Sequence, residues 1–159
     1  ARLSENLNYT PEALFAKFSN RISSVQAQQL GRTATKPADQ RAIANTIYGG
    51  EWGRRNLGNI GPDDGWNYRG SGLIQTTGLA NFQLAKQDTG IDFVAKPELL
   101  RQVGSDVLKA TLGYWYRRVG TKWTDPVLTR KAINGGANGL KETLELRKKV
   151  NVAHASMVK

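Results

Sequence analysis

The chain has 159 residues, 39% of them hydrophobic and 23% charged, with 23 basic against 13 acidic residues for a net charge of +10. It has no cysteine and one histidine, His154, which excludes disulfides, a catalytic thiol and a Cys/His zinc cluster and sets aside a Ser-His-Asp arrangement. No apolar run approaches the roughly 18 residues of a membrane span, no signal-peptide pattern opens the chain, and one domain over 1–159 is expected. The sequence begins at Ala1 and not at a methionine, which reads as processing or as a piece of something longer.

Helical signals flank a glycine-rich centre. Thr10 is placed to cap a helix with Pro11 at its first position and Glu12 near its positive end, and Leu14, Phe18, Ile22 and Val25 continue the spacing. A second helix opens at Pro37, carries Ala42, Ile43 and Ile47 on one face and runs into Tyr48-Gly49-Gly50. Nine of the 17 glycines then fall between Gly49 and Gly78, so an irregular wall is expected there, with one strand candidate over 72–76 and a partner near Tyr48 or Tyr68. Leu79 to about Asp88 reads as helix closed by Gly90, and a short helix starts at Pro97 with Leu99, Leu100 and Val103. Ser105 starts another, with a stripe of Val107, Leu108, Thr111, Leu112, Trp115 and Val119 and a stop at Gly120; Trp115 reads as core. Asp125-Pro126 opens a helix through Ile133, stopped by Asn134-Gly135-Gly136. The last runs from about Leu140, with Leu144, Val150, Ala153 and Met157 inward, Lys148 and Lys149 outward, and His154 at the surface.

The glycine-rich centre has the composition of a polar binding wall. Glycine lets backbone approach a ligand, while Trp66, Tyr68, Gln75 and Thr77 offer rings and hydrogen-bonding groups suited to a sugar. The net charge points to an anionic partner. The basic residues are dispersed and no helix-turn-helix or RNA-binding signature accompanies them, so a bacterial wall or envelope fits better than nucleic acid.

Carboxylate acid/base chemistry is what this composition leaves. Asp39, Asp88, Asp92, Glu98, Asp106, Asp125, Glu142 and Glu145 sit at helix starts or on polar faces, and Asp63 and Asp64 read as turn formers beside Gly61-Pro62 and Gly65. Glu5 and Glu51 are left, and on residue chemistry alone a surface role for Glu5 stays open.

Five segments in order resemble glycoside hydrolase family 19: Glu5-Asn6-Leu7-Asn8-Tyr9-Thr10; Ala42-Ile43-Ala44-Asn45 with Tyr48-Gly49-Gly50; Leu57-Gly58-Asn59; the run 64–78 around Gly65-Trp66-Asn67-Tyr68; and the run 133–140 around Asn134-Gly135-Gly136. The likeness is strongest to single-domain endolysins of phages infecting Gram-negative bacteria, relatives of chitinases. It implies a mainly α, lysozyme-like domain with a long Gly-rich irregular wall and at most a small β-hairpin. It also implies an inverting cleavage of β-1,4 bonds between N-acetylated sugars by two glutamates. Glu5 matches the general base, whose partner acid in an inverting enzyme stands roughly 6.5–9.5 Å away. The His-Glu-x-Gly-Gly motif that carries the acid in the family does not occur in these 159 residues, and its loss would impair the chain. Gln75 and Asn81 match amides that bind sugar or orient the glutamates, and Thr77 matches the hydroxyl that positions the water. Tyr48, Tyr68 and Arg69 resemble the groove wall, Asn134 matches the Asn-Gly-Gly turn that contacts substrate, Trp66 joins them as a candidate substrate-binding ring, Arg147 is the candidate brace for the carboxylates, and Phe82 stands where a tyrosine is common. Glu51 reads as structural.

The resemblance thus implies a monomeric endolysin acting on peptidoglycan strands without metal or cofactor, made in the host cytoplasm and working at the periplasmic wall. Chitin cleavage and non-catalytic glycan binding are the alternatives.

Overall fold

The computed structural model describes residues 3–157, with side chains described to Val152. The expected positions of Ala153, His154 and Met157 side chains lie outside that description, as does Arg2. The described chain is mainly helical, and its residues cluster into two compact units, Ala1–Thr111 and Leu112–Lys159.

In the first unit, α1 (Pro11–Phe18) starts where the sequence puts it, with the Thr10 side chain accepting from the Ala13 amide. It stops at Phe18, and α2 (Ser24–Leu30) begins afresh, where the spacing had suggested one continuous helix. Ser23 and Gln26 form a reciprocal capping box, satisfying two otherwise orphaned amides, and this local start outweighs the continuing apolar period. Ile22 is buried at the break and Val25 is exposed. Next, α3 (Gln40–Tyr48) is capped by Asp39, whose side chain accepts from the Ala42 amide, and buries Ile43, Ala44 and Ile47. Leu7, Leu14, Phe18, Ile22 and these residues of α3 form one core cluster.

The glycine-rich centre is less irregular than its composition suggests. It holds α4 (Gly50–Leu57) and the single turn α5 (Asp64–Asn67). Glu51 ion-pairs with Arg54 and Arg55 at helical spacing, which supports α4 despite its glycines. Close approach makes α5 possible: a Cβ on Gly65 would lie 2.5 Å from the Ala44 carbonyl oxygen and 2.7 Å from the Asn45 Cα. Asn45 then pins α5, its Oδ1 accepting from the Trp66 amide at 2.8 Å and its Nδ2 donating to Asp63 Oδ1 at 2.9 Å. Asp63 also pairs with Arg41 at 2.5 Å, so it does more than form a turn, while Asp64 holds the turn through the Ile60 and Gly61 amides.

A second cluster gathers Tyr68, Phe82, Ala85, Phe93, Leu100 and Ala110. Phe82 and Ala85 come from α6 (Leu79–Thr89), which Gly90 closes, and Leu100 from a 3-10 turn, Pro97–Arg101. Val103 lies beyond that turn and is exposed. Buried Asn59 ties the unit together: its Nδ2 donates to the Tyr48 carbonyl and its Oδ1 accepts from the Leu79 amide, both at 2.8 Å. It thereby joins the end of α3 to the start of α6, where Gly78 offers no capping side chain. Among the described residues, strand content is limited to two antiparallel bridges, Ser4 with Ser71 and Ser71 with Thr76. Thr76 pairs with Ser71 and the Gly78 amide donates to the Tyr68 carbonyl at 2.7 Å, so of the two expected partners the one near Tyr68 is found and the one near Tyr48 is not, while Ser4 pairs with Ser71 on its other side.

Helix α7 (Ser105–Tyr114) passes into a π-helical turn, Trp115–Val119, and a 3-10 turn, Gly120–Thr124. Val107 and Val119 are buried, but Leu108 and Leu112 are exposed, so only part of the expected stripe faces inward. In the second unit, Asp125 caps α8 (Pro126–Asn134), accepting from the Val127 and Leu128 amides. It is followed by α9 (Leu140–Met157). The Tyr114 hydroxyl donates to the Ile133 carbonyl at 3.1 Å. Val150 is exposed where an inward position was expected.

Candidate active site

Glu5 is fixed on three sides. Its amide donates to the Gly70 carbonyl at 2.8 Å, its Oε2 accepts from the Gly70 amide at 3.0 Å, and its Oε1 accepts from the Tyr48 hydroxyl at 2.8 Å. The adjoining bridge of Ser4 to Ser71, with the Gly72 amide donating to the Leu3 carbonyl at 2.7 Å, sets the register. Burial, then the charge and hydrogen bond of Glu5, raise the Tyr48 phenol far above its ordinary range, so Tyr48 stays a donor to the carboxylate.

Gly70 brings two functional candidates together. A Cβ there would stand 2.8 Å from Gln75 Oε1 and 3.1 Å from Glu5 Oε2, so a side chain would push into both. Gln75 is the one non-glycine residue with positive φ, 53°, among the described residues. Held strain of this kind gathers at functional sites. The Gln75 Nε2 donates to the Gly72 carbonyl at 3.0 Å, the Thr77 hydroxyl donates to the Gln75 carbonyl at 2.9 Å, and Asn81 Nδ2 donates to the Thr77 carbonyl at 2.8 Å. With its proton committed, Thr77 keeps oxygen lone pairs for an incoming donor.

The aromatic wall is more inward than its composition implies. Tyr68 is 8% exposed, packs edge-on against Phe82 and donates its hydroxyl to the Val94 carbonyl at 3.2 Å; its work is in the core. Trp66 packs against the first core cluster, and the Arg69 guanidinium covers its ring at 3.6 Å. Arg69 Nη1 donates to the Trp66 carbonyl at 2.7 Å, while its buried Nε has no partner among the described residues. Burial lowers the Arg69 pKa against an opposing pull from Glu5. Asn134 and Arg147 belong to the second unit. Asn134 is exposed, its Nδ2 donating to the Asn138 carbonyl at 3.1 Å, and Arg147 is exposed on α9.

Two positioning residues escape a reading by residue type. Arg101 braces the 67–71 segment, donating to Ser71 Oγ at 2.9 Å and to the Asn67 carbonyl. Burial and the nearby Arg69 charge bring its pKa down to about 10. Asn59 is the other, because its carbonyl partner is the backbone of Tyr48.

Five of the other carboxylates are engaged elsewhere. Hydrogen bonds from Arg54 and Arg55 hold Glu51 below the usual carboxylate range, Arg41 and Asn45 do so for Asp63, and Lys86 does so for Asp92. Asp39 and Asp125 cap helices. Glu51, Asp63 and Asp92, held as anions by their partners, are poorly suited to donate a proton at neutral pH.

No family model matches the chain. A protein of Haemophilus influenzae named a glycosyl hydrolase family 19 domain-containing protein is 34% identical over 148 residues, covering 91% of this chain and 68% of the relative. The chain belongs to glycosyl hydrolase family 19.

Replacing Tyr48 by phenylalanine tests the local geometry. Removing a hydrogen bond to a charged group costs about 1.5–3 kcal/mol, so kcat is expected to fall by about 10- to 100-fold with KM little changed. A fall confined to KM would place Tyr48 in substrate binding instead.

Proposed function

We propose that this is the glycan-cleaving part of an endolysin-type hydrolase that cuts β-1,4 bonds of bacterial peptidoglycan with inversion. Glu5 acts as general base. The observation that carries this reading is the Glu5 carboxylate, held by the Tyr48 hydroxyl and the Gly70 amide. Both bonds orient the carboxylate while leaving it further lone pairs for water.

In this mechanism the nucleophilic water donates one hydrogen to Glu5 and the other to the Thr77 oxygen, which turns its remaining lone pair toward the sugar carbon. Gln75 and Asn81 bind the sugar and maintain the loop. As water attacks, its proton passes to Glu5 and the glycosidic bond breaks on the opposite face. The leaving oxygen takes a proton from the carboxylic acid of the His-Glu-x-Gly-Gly motif that the family resemblance implies and that does not occur in these 159 residues. The protein is produced in the host cytoplasm and reaches the wall from the periplasmic side.

Peptidoglycan is preferred to chitin because the net charge of +10 suits an anionic envelope. Side-by-side hydrolysis of purified peptidoglycan and soluble chitin oligomers decides between them: faster release from peptidoglycan is expected. Equal or faster turnover of chitin makes this a chitinase, and binding without turnover by the protein carrying its acid makes it a glycan-binding module.

A further inference from the structure

Three short segments meet at Ser71. It bridges Ser4, the residue before Glu5, on one side and Thr76, the residue before Thr77, on the other. Toward the first, the Glu5 amide donates to the Gly70 carbonyl at 2.8 Å and the Gly72 amide to the Leu3 carbonyl at 2.7 Å. Toward the second, the Ser71 amide donates to the Thr76 carbonyl at 3.0 Å and the Thr76 amide to the Ser71 carbonyl at 2.8 Å. The middle segment therefore sets how far Glu5 stands from the Thr77 hydroxyl.

So short a ribbon is not stable on backbone pairing alone. Its bracing comes from a side chain outside it. The fully buried Ser71 hydroxyl donates to the Arg69 carbonyl at 2.7 Å and accepts from Arg101 Nε at 2.9 Å, and Arg101 Nη2 donates to the Asn67 carbonyl. One planar guanidinium thus grips both ends of the 67–71 segment. Gly70, which holds Glu5 through its amide and its carbonyl, lies between the two grips. A rigid fork can gauge such a distance, where the single ammonium of a lysine cannot.

Arg101 is itself anchored. It closes the 3-10 turn that Pro97 opens, and its neighbour Leu100 is buried in the second core cluster with Phe82 and Phe93. It makes no ion pair among the described residues: burial and the Arg69 charge act against its cation, and Glu98 alone acts for it. Holding a partly buried cation on neutral acceptors is costly, a cost that an apolar side chain of similar volume would avoid. We infer that Arg101, acting through Ser71 and Gly70, is a positioning residue for the hydrolytic step, fixing the Glu5 carboxylate relative to the Thr77 hydroxyl. This inference rests on the reading of Glu5 as general base.

Arg101→Met, Arg101→Lys and Ser71→Ala test it in the protein that includes its general acid, on whichever substrate that protein turns over faster, peptidoglycan or a soluble chitin oligomer. Titration with an N-acetylglucosamine trimer counts the binding-competent molecules, so that a misfolded fraction is not read as slow catalysis. Per competent molecule, kcat is expected to fall about 10- to 100-fold in all three, the scale of a small misplacement of reacting groups, with KM changed by less than about twofold. Combining Arg101→Met with Ser71→Ala should cost no more than the worse single change, because both act on one contact. Full kcat in Arg101→Lys would make charge and not the fork the active feature and overturn the proposal. So would unchanged kcat in Ser71→Ala, which decides the matter if the Arg101 variants fail to fold, or a loss that vanishes once only competent molecules are counted. Glu5→Gln separates the two readings: if it abolishes turnover while the Arg101 and Ser71 variants keep theirs, this inference alone fails, whereas undiminished turnover in Glu5→Gln removes the base and this inference with it.

Discussion

Glu5→Gln, made in the protein that includes its general acid, is expected to lower peptidoglycan hydrolysis by about 10²–10⁴-fold, the usual contribution of a positioned acid or base. The fold should tolerate it. Glutamine can accept from the Gly70 amide through Oε1 and donate to the Tyr48 oxygen through Nε2, keeping both contacts of the native carboxylate. Sugar release from purified peptidoglycan reads the activity, and thermal unfolding reads the fold. A loss of less than about tenfold, with the fold intact, removes Glu5 from the role of base.

Gly65→Ala should produce the largest change in stability. The added Cβ meets the Ala44 carbonyl oxygen at 2.5 Å and the Asn45 Cα at 2.7 Å. Both are helix backbone atoms, which cannot swing aside as the tip of a side chain can. Overpacking of this kind costs about 1–3 kcal/mol, occasionally more. Urea unfolding measures it, and a shift below about 0.5 kcal/mol, the scale of an unremarkable surface substitution, would mean that α3 and α5 separate easily. Activity should fall as well, because α5 leads through Tyr68 and Arg69 to Gly70, and Gly70 holds Glu5.

Local chemistry was legible in the sequence and non-local chemistry was not. Thr10, Asp125 and Gly90 announce helix ends because a cap acts within three or four residues of itself. The same logic, applied to Ser23 and Gln26, would have located the break between α1 and α2. Likewise, Glu51 with Arg54 and Arg55 was a readable sign of α4 inside the glycine-rich centre. By contrast, Ser4 pairs with Ser71, Asn59 with Tyr48 and Leu79, and Arg101 with Ser71 and Asn67. Nothing in the neighbourhood of each residue names so distant a partner. Tyr68 shows the complementary difficulty: a tyrosine among glycines suggests a ligand, yet its ring fills the core and its hydroxyl is satisfied by the Val94 backbone.

Glu5 was singled out by family resemblance, and the structure adds its surroundings: a phenol donor, a backbone donor and a strained neighbour at Gln75. The second unit is the least legible in the sequence. Its apolar period was visible, but periodicity shows only that a helix has an apolar face and not what covers it.

In the proposed mechanism Glu5 activates water for direct attack instead of attacking the sugar itself. The anomeric form of the first product, followed by proton NMR at times short compared with mutarotation, tests this most directly. Hydrolysis of a β-1,4 bond should release the α-anomer first. Initial release of the β-anomer would mean retention through a covalent intermediate and would contradict the account.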